Sequence, residues 1–171
     1  MDFSLITLNA WINMRKLRVI CLFIILLSLS LTSCDRDIVY HEYITIDEAG
    51  WHRDSILQYD VIIGDSLSLN NFYINIRNNN DYPYSNLYLF VTTVFPNGHM
   101  TRDTIECILA GKDGRWLGSG SGTLKDNKIM LQKALRFPLN GLYHFYLEQG
   151  MREENLQGIE DIGFSVEAYR P

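Results

Sequence analysis

The sequence predicts an all-β protein, an antiparallel β-sandwich of about seven to eight strands that follows a cleaved signal peptide. Apolar and polar residues alternate with a period of two through most of the chain behind its N-terminal segment, and the helical period is scarce. Segments rich in Gly, Pro and Asn separate the alternating runs at roughly 10 to 20 residues. The length of 171 residues allows one domain behind that N-terminal segment.

The N-terminal segment has the order of a secretory signal. Met14-Arg15-Lys16-Leu17-Arg18 supplies three positive charges, and Val19 to Leu31 follows as an apolar run. A helix that spans a bilayer needs roughly 20 apolar residues, whereas the core of a secretory signal has roughly 7 to 15. We therefore expect a signal peptide and not a membrane-spanning helix.

The end of the apolar run indicates which kind of signal it is. Leu31-Thr32-Ser33-Cys34 has the Leu, small, small, Cys pattern at which lipoproteins are cleaved. We expect residues 1–33 to be removed and residues 34–171 to form a domain that a lipid on Cys34 anchors. An ordinary signal with an incidental cysteine is the alternative. Because Asp2 precedes the positive region, Met14 is predicted to be the true start.

The first predicted strands lie close behind the cleavage site. Apolar residues resume at Ile38, so we expect no long tether before the domain. Phe72, Ile74 and Ile76 alternate with polar residues, which indicates one buried and one solvated face. Leu87 to Phe95 is apolar on both faces, which is typical of a central strand in a packed sheet.

The clearest hairpin in the sequence follows this central strand. Pro96-Asn97-Gly98-His99 supplies a turn in which Asn-Gly tolerates positive φ angles, and Met100 to Leu109 forms the return strand. Cys107 falls at an inward position of that strand and is predicted to be a small buried hydrophobe. A catalytic thiol is the minority interpretation, because nothing nearby in sequence supplies a base.

A glycine-rich stretch from Gly111 to Gly122 follows and is predicted to be a loop or a bent edge. It lacks the Gly-Lys-Ser/Thr order and the following helix of a phosphate loop. Gly118-Ser119-Gly120-Ser121-Gly122 is similar to a nucleophile elbow in spacing, but no helical pattern follows it. Catalysis through Ser119 or Ser121 is therefore only a minor alternative.

The C-terminal third of the chain returns to alternation. Ile129 to Phe137, Leu142 to Glu148 and Gly163 to Tyr169 are predicted strands, with a turn at Pro138-Leu139-Asn140-Gly141 between the first two. Met151 to Gln157 is the one segment with a plausible helical pattern, and a loop is nearly as compatible with its charge distribution.

Composition and spacing argue against several classes of function. The net charge is −5 and no Lys/Arg cluster remains after the signal, so a nucleic-acid binder is not expected. Neither a metal site nor a cofactor is predicted, because the histidines never stand in ligand-type pairs. The acidic pairs Glu153-Glu154 and Glu160-Asp161 are interpreted as solvated charge. We expect no enzymatic activity. The four histidines are His41, His52, His99 and His144.

Two tryptophans remain behind the signal, and each permits two interpretations. Exposed, Trp51 and Trp116 could stack on a sugar or anchor a protein partner, with Asp113 and Arg115 as weaker ligand-binding candidates beside Trp116. Buried, they would be ordinary core residues. A glycan- or peptidoglycan-binding module is therefore an alternative function.

Four strings carry a resemblance to a known family: Ile76 to Leu87 (IRNNNDYPYSNL), Phe95 to Gly98, Asp113 to Gly118 (DGRWLG) and Gly158 to Ser165. On these strings the chain resembles the GldH family of gliding-motility lipoproteins from Bacteroidota. The resemblance covers essentially the whole mature chain, including Cys34 and the Trp51-His52 step. Physically, Asn78 to Pro83 is predicted to be a structural turn, with a presented binding loop as the alternative.

The resemblance implies a cell-envelope lipoprotein that works with other gliding-motility lipoproteins and the associated secretion machinery. It implies no enzymatic activity and no cofactor, and the one residue role that it transfers is lipidation of Cys34. The leading hypothesis is a non-catalytic assembly or interaction subunit, anchored in the outer membrane and facing the periplasm. Asp35 indicates inner-membrane retention in some bacteria, which is the alternative location.

Overall fold

A computed structural model describes residues 37–170. The predicted signal peptide, the start at Met14 and the lipidation site Cys34 lie outside these residues. The described chain folds into ten strands and contains no helix: β1 (Ile38–Thr45), β2 (Trp51–His52), β3 (Leu57–Ile63), β4 (Leu69–Asn78), β5 (Asn86–Val94), β6 (Met100–Ile108), β7 (Lys125–Arg136), β8 (Gly141–Gln149), β9 (Asn155–Leu156) and β10 (Ile159–Ala168).

Two four-stranded antiparallel sheets pack face to face. The first has the strand order β1-β10-β4-β7 and the second β3-β8-β5-β6, while β2 and β9 form a separate two-stranded ribbon. Aromatic rings join the sheets, since the Phe164 ring of β10 lies 4.4 Å from Phe145 of β8 and 5.8 Å from Tyr59 of β3. The prediction of an all-β sandwich is confirmed, with eight long strands and two of two residues.

The alternating sequence produces the core directly. In β4 the predicted inward residues Phe72, Ile74 and Ile76 are all buried. β5 lies between β8 and β6, as expected of a central strand. Its second face is only partly buried, however: Tyr88 is exposed, and Phe90 is half-buried with the guanidinium of Arg102 4.8 Å from its ring centroid.

The predicted hairpin is confirmed as β5 and β6, which pair along their whole lengths up to Val94 and Met100. Gly98 has the positive φ of +81° that the turn requires. Cys107 is fully buried, as predicted from its inward position.

Two expectations about the elements need correction. Of the two interpretations of Met151 to Gln157, the helix is wrong; the segment is a loop that contains β9, whose Leu156 pairs with Trp51. The strand expected from Ile129 begins four residues earlier, at Lys125, because Asp126 and its neighbours pair with the end of β4. Sequence reasoning also missed β3, although its residues alternate strictly between buried and exposed positions.

One end of the sandwich contains the start of the described chain, and we call it the Ile38 end. Here Ala168 N donates a hydrogen bond to Asp37 O, and Tyr169 N donates to Leu69 O. The β3–β4 link (64–68) and the β7–β8 link (137–140) meet at the same end, because Ser66 N donates to Asn140 Oδ1 at 2.7 Å.

The opposite end, which we call the Trp116 end, contains the loops 79–85, 109–124 and 150–158. β4 connects the two ends with ten residues. At about 3.3 Å per residue the ends are therefore about 30 Å apart.

Candidate functional site

Three of the four strings that carry the family resemblance meet at the Trp116 end. Asn79 N donates a hydrogen bond to Gly158 O at 2.9 Å, and Asn79 Nδ2 donates to Glu160 Oε1 at 2.6 Å. These contacts join the loop after β4 to the turn before β10. The ring of Trp116 lies 6.4 Å from that of Tyr82, which adds the glycine-rich loop to the same cluster. The fourth string, Phe95 to Gly98, lies at the opposite end, in the β5–β6 turn.

Polar side chains and one buried ring fix the loop after β4. Asn79 Oδ1 accepts a hydrogen bond from Asp81 N at 2.8 Å, which is a local turn of the kind that Asn favours. Tyr82 is buried and its hydroxyl donates to Asn86 O at 2.7 Å. Burial raises the pKa of the Tyr82 phenol well above its usual value. The predicted structural turn is confirmed, and Asn80 and Asp81 are its exposed tip.

The two tryptophans have different environments. Trp51 is 1% exposed and its Nε1 donates to Ser55 O at 3.0 Å, so its ring belongs to the core and offers no face to a ligand. Trp116 is half-buried against Tyr82 and keeps part of its ring accessible. Of the two stacking candidates, only Trp116 is therefore accessible.

Asp113 and Arg115 lie on the exposed side of the glycine-rich loop. Their side chains form an ion pair, with Asp113 Oδ2 3.4 Å from Arg115 Nε, and both are largely exposed. Gly114 between them has a positive φ of +78°, which lets the loop turn sharply. Leu117 follows and is 62% exposed. The loop thus presents one charged pair, one aliphatic side chain and part of an indole ring to solvent.

The minor catalytic candidates do not converge. Ser119 exchanges backbone hydrogen bonds with Asp126, so this part of the glycine-rich loop extends the sheet beyond β7 instead of forming an elbow. Ser121 is exposed nearby. Burial raises the pKa of the Cys107 thiol to about 12, which disfavours a reactive thiolate. Within residues 37–170, no three His, Cys, Asp or Glu side chains are grouped as metal ligands.

The solvent-facing side of the first sheet carries an ordered polar network that sequence reasoning did not single out. Arg77 on β4 binds Asp126 on β7 at 2.8 Å and Asp161 on β10 at 2.9 Å. The hydrogen bond that Arg77 Nε donates to Asp126 Oδ1 contributes most to raising the pKa of Arg77. Beside it, buried Asn75 donates to Ser165 Oγ at 2.9 Å. Sequence alternation places these residues outward, but their pairing depends on strand order.

An apolar cavity of about 330 Å³ lies between the edge strands β6 and β7, toward the Ile38 end. Its walls include Phe72, Leu131, Phe137 and Phe145, together with the polar Asp103 and Gln132 at the edges. The two sheets are therefore packed less tightly on this side.

No segment of the described chain is a helix long and apolar enough to cross a bilayer.

Comparison with known proteins places the whole described domain in one family. Residues 38–166 match the GldH lipoprotein family. The chain is 39% identical over 143 residues to a gliding motility lipoprotein GldH homolog of Christiangramia forsetii, covering 80% of this chain and 87% of that protein. It is 35% identical over 151 residues to the gliding motility lipoprotein GldH of Flavobacterium johnsoniae, covering 84% and 93% respectively. The resemblance predicted from the four strings is confirmed, and this chain belongs to the GldH lipoprotein family.

Proposed function

We propose that this protein is a lipid-anchored, non-catalytic assembly subunit of the envelope machinery for gliding motility and its associated protein secretion. The observation that carries the proposal is the family match across 38–166. In addition, the chain aligns with two relatives that are named gliding motility lipoproteins, over 87% and 93% of their lengths. Its partners are other gliding-motility lipoproteins or proteins of the secretion machinery. The domain is held on the outer membrane, facing the periplasm.

Lipidation of Cys34 is the first step of this proposal. The sequence that supports it is the Leu31-Thr32-Ser33-Cys34 box behind a short apolar run. Palmitate supplied to growing cells should label the wild-type chain and the matched control Cys21→Ala, but not Cys34→Ala. Equal labelling of all three chains would refute lipidation at Cys34.

The environments of the candidate side chains support a non-catalytic role. Two carboxylates on the outer faces of the sheets are paired with arginines, Asp126 with Arg77 at 2.8 Å and Glu148 with Arg102 at 2.6 Å. The buried thiol has a raised pKa, and Ser119 of the glycine-rich loop lies on a sheet extension. An active site requires a nucleophile and a base that face a common pocket.

The surface best suited to a protein partner is the Trp116 end. It combines an accessible part of an indole, the exposed Leu117 and the Asp113–Arg115 pair, a mixture of aromatic, aliphatic and Arg side chains that is typical of interface centres. The underlying loops are fixed by Asn79 and Tyr82, so the surface needs little ordering when a partner binds.

Crosslinking in intact cells tests this surface. A photo-reactive amino acid at Arg115 should yield a defined product with another envelope protein of the gliding or secretion machinery, identified by mass spectrometry. The matched control is Met130, which is 48% exposed on the outer side of the first sheet and should yield much less of that product. Identical products from both positions, or products with unrelated abundant proteins only, would contradict the proposal.

The glycan-binding alternative now depends on Trp116, because the ring of Trp51 is buried. Loss of one stacking ring typically weakens binding of a flat ligand by about 1 kcal/mol or more. If the domain binds isolated peptidoglycan, Trp116→Ala should weaken that binding. An affinity that is unchanged by Trp116→Ala would remove this alternative.

A further inference from the structure

Exposed aliphatic side chains surround the Ile38 end, and the two most exposed of the described chain are among them. Six of them surround it: Ile38, Val39, Ile62, Leu67, Leu139 and Leu142. Leu67 is 77% exposed and Ile62 is 75% exposed, the highest values among the large hydrophobic residues of the described chain that are exposed. Single exposed aliphatic residues are common, but a group of them at one end of a domain marks a contact surface.

Backbone pairing brings these residues to one rim although they come from three separate stretches of the chain, 38–39, 62–67 and 139–142. Ile62 and Leu142 are cross-strand partners at the last rungs of the β3–β8 pair. Leu67 and Leu139 lie in the two links that the Ser66–Asn140 hydrogen bond joins. Ile38 begins β1 beside the end of β10, so the rim includes the entry of the chain into the fold.

The position of the lipid attachment identifies what covers this rim. Cys34 precedes Ile38 by four residues. Four extended residues reach at most about 14 Å, so an anchored Cys34 keeps the Ile38 end within about that distance of the bilayer surface. Aliphatic side chains at this depth gain by entering the boundary between headgroups and acyl chains.

The charges at this end are compatible with a lipid surface. Lys133 and Arg136 are exposed near the end of β7, where they can approach lipid phosphates. Asp37 is paired with Arg170. Asp65 stands beside Leu67, but its carboxylate already accepts hydrogen bonds from Ser68 Oγ at 2.5 Å and Leu67 N at 2.9 Å.

We propose that the Ile38 end rests on the bilayer, with the side chains of Leu67, Ile62 and their four neighbours in its interfacial region. This inference rests on the proposed lipid anchor, to which it adds an orientation. The sandwich then stands upright on the membrane, and the Trp116 end faces away from it at a height of about 30 Å, set by the length of β4. The lipid and the apolar rim together hold the domain in this orientation, without help from a Lys/Arg cluster behind the signal segment.

Depth measurements on the lipidated protein in phospholipid vesicles test the orientation. Leu67→Cys is labelled with an environment-sensitive fluorophore; Leu117→Cys, at the opposite end and 62% exposed, is the matched control. Cys107 is fully buried and remains unlabelled under native conditions. The label at position 67 should show blue-shifted emission and lose intensity when the lipids carry bromine in their acyl chains. The label at position 117 should show neither change.

The outcomes separate the orientation from the anchor. If the protein floats with the vesicles but labels at 67 and at 62 (Ile62→Cys) both remain water-exposed, the proposed orientation is overturned and the anchor stands. If the protein does not float, both fail. A blue shift at position 67 that depends on protein concentration and occurs without vesicles would identify a second copy of the chain as the occupant, and would equally overturn the bilayer contact.

Discussion

Gly158 is the residue that allows the loops of the Trp116 end to close. Its φ is +82°, and a Cβ built there would lie 2.3 Å from the backbone N of Tyr82. The carbonyl oxygen of Gly158 accepts the hydrogen bond from Asn79 N. Only glycine combines this φ with so close an approach of a neighbouring chain.

Replacing Gly158 with alanine should therefore destabilise the fold strongly. A positive φ costs a residue with a Cβ about 1–2 kcal/mol, and overpacking adds about 1–3 kcal/mol, so we expect a loss of about 2–5 kcal/mol. Gly98→Ala is a matched control, because Gly98 has a φ of +81° but open space around its Cβ. Urea denaturation should show the larger loss for Gly158→Ala; equal losses would mean that the contact with Tyr82 is unimportant.

Cys107 should behave as an inert core thiol. Burial holds its pKa at about 12, so the thiolate is scarce near neutral pH. Alkylation at pH 8, followed by mass spectrometry of the peptide that contains Cys107, should show little modification of the folded protein and full modification in denaturant. Rapid alkylation of the folded protein would contradict this assignment and reopen the catalytic interpretation.

At the scale of elements, a strand is easier to predict when the strand that it pairs with lies close to it in the sequence. The β5–β6 hairpin was predicted because its partners flank a turn of five residues, Phe95 to His99, whose Pro-Asn-Gly composition is diagnostic. β9 was missed because its partner β2 lies about a hundred residues away, and the polar segment 151–157 gives no period of its own. The long-range pair, and not local preference, decides that this segment is a strand.

Trp51 makes the β2–β9 ribbon part of the core. Its ring is fully enclosed, so Trp51→Ala should cost about 3–5 kcal/mol through the lost burial and the cavity that remains. Trp116→Ala is the control, because a half-buried ring should cost clearly less. Thermal or urea unfolding measures both. A greater loss for Trp116→Ala would show that the glycine-rich loop, and not the ribbon, carries the packing.

The candidate site was predictable only in part. Asp113, Arg115 and Trp116 were selected from sequence, and all three lie in the loop that the Trp116 end presents. The polar network around Arg77 was not selected, because its carboxylates come from strands 49 and 84 residues further along the chain. Lateral order in a sheet is set by topology, which the alternation of one strand does not encode.

For the whole molecule, surface carboxylates set the response to acid. A hydrogen bond from Ser68 lowers the pKa of Asp65, and one from Gln58, followed by one from His144, lowers that of Asp60. A carboxyl with a lowered folded-state pKa stabilises the fold above its unfolded pKa of about 4, and this contribution is lost as the pH falls through the folded-state pKa. Both groups are solvent-exposed, so each contribution is small.

The free energy of unfolding should therefore decline as the pH falls below about 4. Ser68→Ala removes the main cause of the shift at Asp65, so the variant should show a shallower decline and a higher Asp65 pKa by NMR titration. Urea unfolding at several pH values measures the decline. An unchanged Asp65 pKa in the variant would contradict the role of Ser68.

The order of strands in the first sheet also affects which strands can pair while the chain is being synthesised. β10 lies between β1 and β4, so the first strand of the described residues 37–170 pairs only with the last one. During synthesis the N-terminal part of a chain is made first. β1 therefore has no strand to pair with until β10 has been made. A ribosome that stops before Ile159 leaves a product without β10, in which the edges of β1 and β4 that β10 would join are open to other chains.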